Sequence, residues 1–198
     1  MKNVYQGNLI MLKTHIDKFV KISDEEFVDI IKYFQAQTFK KKENLLNEGQ
    51  VCKINYFVLK GILRKFFINE KGVEQTTEFA IENWWMTETF SYLNQTPTEF
   101  YIQAVENAEV LAIHQNTYNN LLEKHPIMEK YFRCIYQKAY AAAQMRIKFL
   151  YEHSREELYH HFRRSQPGFL QRVPQYLIAS YLGFTPEYLS EIRRKSVS

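Results

Sequence analysis

Cysteine, glycine and proline are scarce in this chain. Its two cysteines, Cys52 and Cys134 among 198 residues, are far apart and form no C-x-x-C pair. That excludes a disulfide framework and the ligand spacing of a zinc or iron–sulfur site, and it fits a reducing cytosol. With six glycines and five prolines, no flexible linker, internal repeat or low-complexity segment appears. No apolar run is long enough to span a membrane, and the opening MKNVYQGNLIMLKTHIDKF lacks the uninterrupted apolar core of a secretory signal. A soluble, cytoplasmic protein without a membrane partner is expected. Catalytic signatures are also missing. There is no nucleophile elbow, no phosphate loop and no His-x-His pair on a strand, and His114 stands alone. His153, Glu157 and His161 follow at i, i+4, i+8, but such a trio more often marks a solvated helix face than a metal site. The sequence therefore predicts a non-enzyme with no metal and no cofactor; a metal-binding, cupin-like enzyme is the weakest reading.

What is present is aromatic and segmented. Fifteen Phe, fourteen Tyr and two Trp predict a ring-rich core. Ser23 with Glu26 forms a capping box, followed by Phe27, Ile30, Ile31 and Phe34 on one helical face. From Ala36 to His114 the pattern changes to short runs separated by turns. FVL from Phe57, ILRKFFI from Ile62, VEQTTEFAI from Val73, FYIQAV from Phe100 and EVLAI from Glu109 read as strands. Asn47-Glu48-Gly49, Lys60-Gly61, Asn69 to Gly72 and Asn94 to Pro97 read as turns. About eight short strands without intervening helices predict an antiparallel roll of the jelly-roll type.

Asn116 is the expected cap of a short helix ending near Lys124, and Pro126 opens a long one. Met128, Phe132, Ile135, Ala139, Ala142 and Phe149 give that helix an a/d seam of about three heptads. The seam either packs on the roll or pairs two chains. Pairing is favoured, because so small a roll does not cover so long a helix. Ser154 caps a further helix, SREELYHHFRR, that Pro167-Gly168 is expected to end. Pro174 is placed to begin the next.

The last stretch, QYLIASYLGFTPEYLSEIRR from Gln175, has the pattern of a helix-turn-helix. Ile178, Ala179 and Leu182 line one helix, Gly183 breaks it, and Thr185 caps a second that buries Leu189 and Ile192. Glu187, Ser190, Glu191 and Arg194 stay on the outer face, suited to a DNA major groove. From Arg163 to Ser198 there are six Lys/Arg against two acids, an excess equal to the +4 of the whole chain. The positive field is thus concentrated on this segment. Arg172, Arg193, Arg194 and Lys195 are expected on phosphates, Glu187, Ser190 and Glu191 on base edges, and Tyr188 in a stack or on the backbone.

Roll, long helix and C-terminal helix-turn-helix, in that order, resemble the Crp/Fnr family of bacterial transcription regulators over about Ser23 to Lys195. The stretch RVPQYLIASYLGFTPEYLSEIRRK is similar to the short members of the Bacteroidetes type, and Gly49, Gly61 and Gly72 fall at the turns of that family's cyclic-nucleotide-binding-like roll. The resemblance implies an α+β fold in three parts: a sensor roll with flanking helices over 1–125, a dimerisation helix over 126–152 and a DNA-binding helix-turn-helix domain over 153–198. It implies a homodimer, formed through helix 126–149, on a palindromic double-stranded DNA operator, with RNA polymerase a further candidate partner. The family's cyclic AMP cassette maps to Met86 and Thr87, after Trp84 and Trp85, and to Thr98 and Glu99, with Ala143 and Gln144 facing the base. A phosphate needs a cation and converging donors, and Thr98 with Glu99 removes the charge and adds a repelling one. No cyclic AMP binding is expected, and any small-molecule effector is unknown. Trp84, Trp85, Phe79, Phe90, Phe100 and Tyr101 either line an apolar pocket for another ligand or fill the core of the roll. A rival reading keeps a ligand-sensing module but turns its helix-turn-helix into a protein-interaction surface, as the acidic Glu187 and Glu191 would suit.

Overall fold

A computed structural model describes residues 10–195. Residues 1–9, where the sequence was read for a leader, and 196–198, the end of the expected DNA-binding domain, lie outside the described residues. Helix α1 (residues 10–16) buries Leu12 and Ile16. Helix α2 (Asp24–Ile30) begins at the expected capping box: Ser23 Oγ accepts from Glu26 N–H at 3.1 Å, and Glu26 Oε2 accepts from Ser23 N–H at 2.9 Å. A 3-10 turn (Ile31–Tyr33) then hands the chain to the sheets.

Among the described residues eight strands form two four-stranded sheets. They are β1 (Gln35–Phe39), β2 (Asn44–Leu46), β3 (Ile54–Lys60), β4 (Leu63–Ile68), β5 (Glu74–Ala80), β6 (Trp85–Met86), β7 (Tyr101–Ala104) and β8 (Ala108–His114). One sheet has the order β1-β8-β3-β6 and the other β2-β7-β4-β5. β3 and β8 pair antiparallel, with Ile54 opposite His114 and Phe57 opposite Leu111. Both faces of this pair are buried. Phe57, Leu59, Leu111 and Ile113 face a cluster with Leu12, Ile16, Ile30, Leu121, Met128 and Phe132. Tyr56, Val58, Val110 and Ala112 face Leu46, Leu63, Ile102 and Ala104 from the opposite sheet. Two-sided burial explains why FVL and EVLAI carry no polar alternation. Each large side chain so buried contributes about 1.5–3 kcal/mol.

Between β3 and β4, Gly61 has φ +92°, and a Cβ there would lie 2.6 Å from the Asn107 carbonyl oxygen and 2.9 Å from Ala108 Cα. Both neighbours are backbone and cannot swing aside. Gly61→Ala should therefore cost about 2–4 kcal/mol, from left-handed strain plus the clash, measured as a shift of the urea midpoint at unchanged m-value.

Three local expectations need correction. The roll is not free of helix, because α3 (Thr89–Asn94) lies between β6 and β7, capped by Glu88. Six residues are too few for a helical period to show in sequence. The cap of α4 (Gln115–Lys124) is His114 rather than Asn116: the His114 ring accepts from Asn116 N–H at 3.4 Å. Finally, the seam on α5 (Ile127–Glu152) is split. Met128 and Phe132 are fully buried in the roll's core and Ile135 packs against it, so these three belong to the roll. Beyond them α5 exposes Ala139 and Ala142 and, one position along, an apolar line of Tyr136, Tyr140, Ala143, Ile147 and Leu150, spaced 4, 3, 4, 3.

The chain gathers into two compact units. The first joins the chain up to Lys65 to Phe79–Gln137; the second joins Phe66–Glu78 to the chain from Lys138 on. In the second unit α6 (Arg155–Ser165) starts at the Ser154–Glu157 capping box. Pro167-Gly168 does not simply end it but opens α7 (Pro167–Arg172), since proline at the first helical position forfeits no bond. Pro174 flanks α8 (Gln175–Leu182) as its cap instead of being its first residue, and α9 (Pro186–Lys195) follows. Tyr159, Val173, Leu177, Ile178, Ala179, Leu182, Phe184, Leu189 and Ile192 are the buried hydrophobics from α6 to α9. Among the described residues no helix is long and apolar enough to cross a membrane.

Candidate nucleic-acid interface

The geometry of α8 and α9 follows from three residues between them. Gly183 takes φ +75°, a left-handed conformation that glycine adopts without a Cβ penalty, and its N–H closes α8 onto the carbonyls of Ala179 and Ser180. Phe184 N–H adds a bond to the Ala179 carbonyl at 2.8 Å and its ring turns inward. Thr185 Oγ1 accepts from Tyr188 N–H at 3.3 Å, capping α9 as its sequence position predicts. With Leu189 and Ile192 sealed inside, the outer face of α9 is set.

That face carries Glu187, Ser190, Glu191, Arg193, Arg194 and Lys195, all exposed; Arg172 and Thr185 are exposed nearby in sequence. The structure sorts these side chains further. Lys195 Nζ pairs with Glu191 Oε1 at 3.1 Å and approaches Glu156 Oε1 on α6 at 3.8 Å. The Glu191 bond, and the fields of both carboxylates, raise the Lys195 pKa. Glu191 and Lys195 therefore largely neutralise each other, and the acidity of the face is concentrated at Glu187. Ser190 Oγ donates to the Pro186 carbonyl at 3.0 Å, so its lone pairs, not its proton, face outward. Tyr188 is half-buried, edge-on to Phe184 at 5.7 Å, with the Arg155 guanidinium 5.6 Å from its ring. It works as a packing group. Glu156 and Arg155 were missed by sequence reasoning, because they lie on another helix and no local spacing links them to α9.

The roll's candidate effector residues do not gather around one space. Trp85 is partly buried and packs on the roll's core: its Nε1–H donates to Tyr131 Oη at 2.9 Å, and its ring lies 5.2 Å from Phe132 and 5.3 Å from Phe57. Met86 is buried in the inter-sheet core, whereas Trp84 and Phe90 are exposed. Phe79 is buried and Phe100 half-buried. Tyr101 Oη donates to Glu48 at 2.9 Å, and Glu99 is exposed. Ala143 and Gln144 are exposed on α5, where Gln144 Nε2 donates to Tyr140 Oη at 3.1 Å.

Next to Met86 and Thr87 stands Glu88, a residue that sequence reasoning did not single out. Its buried carboxylate accepts from Phe90 N–H at 3.1 Å, from Ser91 N–H at 2.8 Å and from Thr98 Oγ1 at 3.1 Å. Thr98 Oγ1 accepts in turn from Phe100 N–H at 3.0 Å. Thr87 Oγ1 donates to the Ile54 carbonyl at 3.0 Å, and Lys65 Nζ to the Thr87 carbonyl at 3.2 Å. A carboxylate thus takes up the α3 N-terminus and the Thr98 hydroxyl, the donors an anionic phosphate would need.

On the metal question, the His153 and His161 rings stack at 5.8 Å and Glu157 is engaged in its capping box. Among the described residues no group of three or more His, Cys, Asp or Glu is placed to hold a metal ion.

Comparison with known proteins places this geometry. Residues 36–125 match the family model described as cyclic nucleotide-binding domain. No curated protein matches by sequence. Among solved structures, the Thermus thermophilus catabolite activator protein is similar at 19% identity over 88% of this chain and 83% of its own, with a TM-score of 0.55. FixK2 from Bradyrhizobium japonicum is similar at 15% identity over 82% and 83%, TM-score 0.64. The c-di-GMP-responsive global regulator CLP of Xanthomonas campestris is similar at 10% identity over 87% and 91%, TM-score 0.69. At these identities the likeness establishes the fold: a nucleotide-binding-type roll, a long helix and a further set of helices.

Proposed function

We propose that this α+β protein, whose residues 36–125 match a cyclic nucleotide-binding domain, is a homodimeric, sequence-specific DNA-binding transcription regulator of the Crp/Fnr type. The observation that carries the reading is α9: capped at Thr185, sealed on its apolar side by Leu189 and Ile192, and charged and uncovered on the other. In this reading 1–125 is the sensor, 126–152 the dimerisation helix and 153–198 the DNA-binding domain. Two copies joined along Tyr136, Tyr140, Ala143, Ile147 and Leu150 would set two α9 helices about 34 Å apart, one turn of a palindromic duplex. Arg172, Arg193 and Arg194 meet phosphates, while Lys195 is partly spent on Glu191 and Glu156. Glu187, which accepts only, is suited to cytosine N4. Ser190 offers lone pairs. Arg194→Ala removes one phosphate contact per chain, so the dimer's slope of log affinity against log salt should flatten by about 2. A gel shift across a salt series checks this; an unchanged slope removes Arg194 from the interface.

Glu187 also favours the protein-interaction reading, since it repels phosphate. The same salt series separates the two, because a surface for protein would show no counterion-release slope on DNA. As for an effector, Glu88 already takes up the Phe90 and Ser91 N–H groups and the Thr98 hydroxyl, so calorimetric titration with cyclic AMP should show no saturable heat. A saturable, millimolar-or-better isotherm would overturn that expectation.

A further inference from the structure

β5 is the outermost strand of its sheet, so one of its edges has no strand neighbour to satisfy its N–H and C=O groups. Ser180, near the end of α8, takes part of that edge. Its Oγ accepts from Thr76 N–H at 2.8 Å, donates to the Glu74 carbonyl at 2.8 Å and lies 3.2 Å from Thr76 Oγ1. One hydroxyl thus does both jobs of a residue on a neighbouring strand, accepting with one lone pair and donating its single proton. Arg146 on α5 secures the same junction. Its guanidinium donates to the Thr77 carbonyl and, at 2.8 Å, to the Tyr181 carbonyl, and lies 3.8 Å over the Tyr181 ring. A planar fork that also stacks is a geometry lysine does not offer. Tyr181 meets Phe162 of α6 at 5.7 Å. The hairpin, α5, α6 and α8 are therefore joined through Ser180, Arg146 and Tyr181.

None of these contacts covers α9, whose Glu187, Ser190 and Arg193 remain exposed. The junction therefore does not block the outer face. Residues Phe66–Glu78 are, moreover, the far ends of two strands that begin at Leu63 and finish at Ala80, so the hairpin is continuous in the chain with the roll. Within this unit the α8–α9 pair is tied to α5 by the Arg146 fork and stack as well as by the chain between them. One tie permits a hinge; two fix an orientation.

We infer that Ser180 and Arg146 are positioning residues that hold the α8–α9 pair to the β4–β5 hairpin and thereby fix the half-site spacing the dimer accepts. This rests on the dimeric DNA-binding reading. The test pairs two readouts on the full-length wild type, Ser180→Ala and Arg146→Lys. Amide exchange at Thr76 should quicken by about tenfold or more in Ser180→Ala, because its acceptor is gone. Binding to the palindrome selected by the wild type is then compared with duplexes one base pair shorter or longer between half-sites. The wild type should prefer its own spacing by about tenfold or more, and both variants should bind all three within about threefold. Unchanged Thr76 exchange overturns the brace, whether or not the protein binds DNA. Faster exchange with the spacing preference intact overturns its positioning role. A wild type that selects no duplex overturns the DNA-binding reading and the spacing claim together, and exchange alone still decides whether the brace exists.

Discussion

Tyr140→Glu combined with Ile147→Glu should yield a folded monomer whose affinity for its DNA site falls by about two to four orders of magnitude. Both residues lie on the outward line of α5, 67% and 55% exposed. Neither belongs to the buried clusters of the roll. An uncovered apolar line repeating every 4, 3 residues over Tyr136 to Leu150 is what a two-chain helical seam requires. Carboxylates at those positions would be buried against their own symmetry mates, which a dimer does not tolerate. In the monomer they meet water, so folding stability should move by no more than about 0.5 kcal/mol. The loss on DNA arises because the second half-site is no longer engaged within one particle, and linked binding is worth about 10²–10⁴. Sedimentation equilibrium reads the mass and a duplex titration the affinity. A variant that stays dimeric removes the seam from the account; a monomer with unchanged affinity removes the dimer from DNA recognition.

Trp85→Ala should cost about 3 kcal/mol, the lower end of the range for deleting a large ring from a core, because Trp85 is partly buried. Trp85 sits among Phe34, Phe57, Tyr131 and Phe132, with centroids 5.2–6.4 Å away. Its indole N–H donates to Tyr131 Oη, which also meets His15 Nδ1 at 2.8 Å. The variant leaves a cavity between β6, α5 and the packed aromatic cluster and removes one of those bonds. A tryptophan lining a ligand pocket would leave stability nearly unchanged when shortened. Urea unfolding followed by tyrosine fluorescence distinguishes the two: a midpoint lower by the stated amount confirms the core role, and a change below about 1 kcal/mol contradicts it.

Much of this architecture was legible in the chain because local chemistry decided it. Ser23 and Glu26, Ser154 and Glu157, Gly183 and Thr185 each fix a helix end through bonds to residues within five positions. The strands announced themselves through β-branched and aromatic runs between Gly49, Gly61 and Gly72, all of which take positive φ. The errors share a physical cause. Glu88 was passed over because its importance lies in the α3 N-terminus and in Thr98, ten residues away, which only folding brings together. The a/d line was read as one seam on α5, although Met128, Phe132 and Ile135 pack in the roll. Its inner end serves the roll, and periodicity alone cannot tell which partner a face will meet. The pairing of Lys195 with Glu156 and the contact of Ser180 with Thr76 link distant elements and leave no trace in sequence spacing.

The central claim is that α9 reads DNA as one of a symmetric pair. The most direct test is selection from random duplexes at fixed salt, followed by titration of the enriched site across a salt series. Arg172, Arg193 and Arg194 from two chains would neutralise about six phosphates, which corresponds to a log–log slope of about −5 and a loss of about 10³ in affinity from 50 to 200 mM salt. The account predicts a palindrome with half-sites one helical turn apart and that slope. An unstructured pool, or an affinity indifferent to salt, would contradict it.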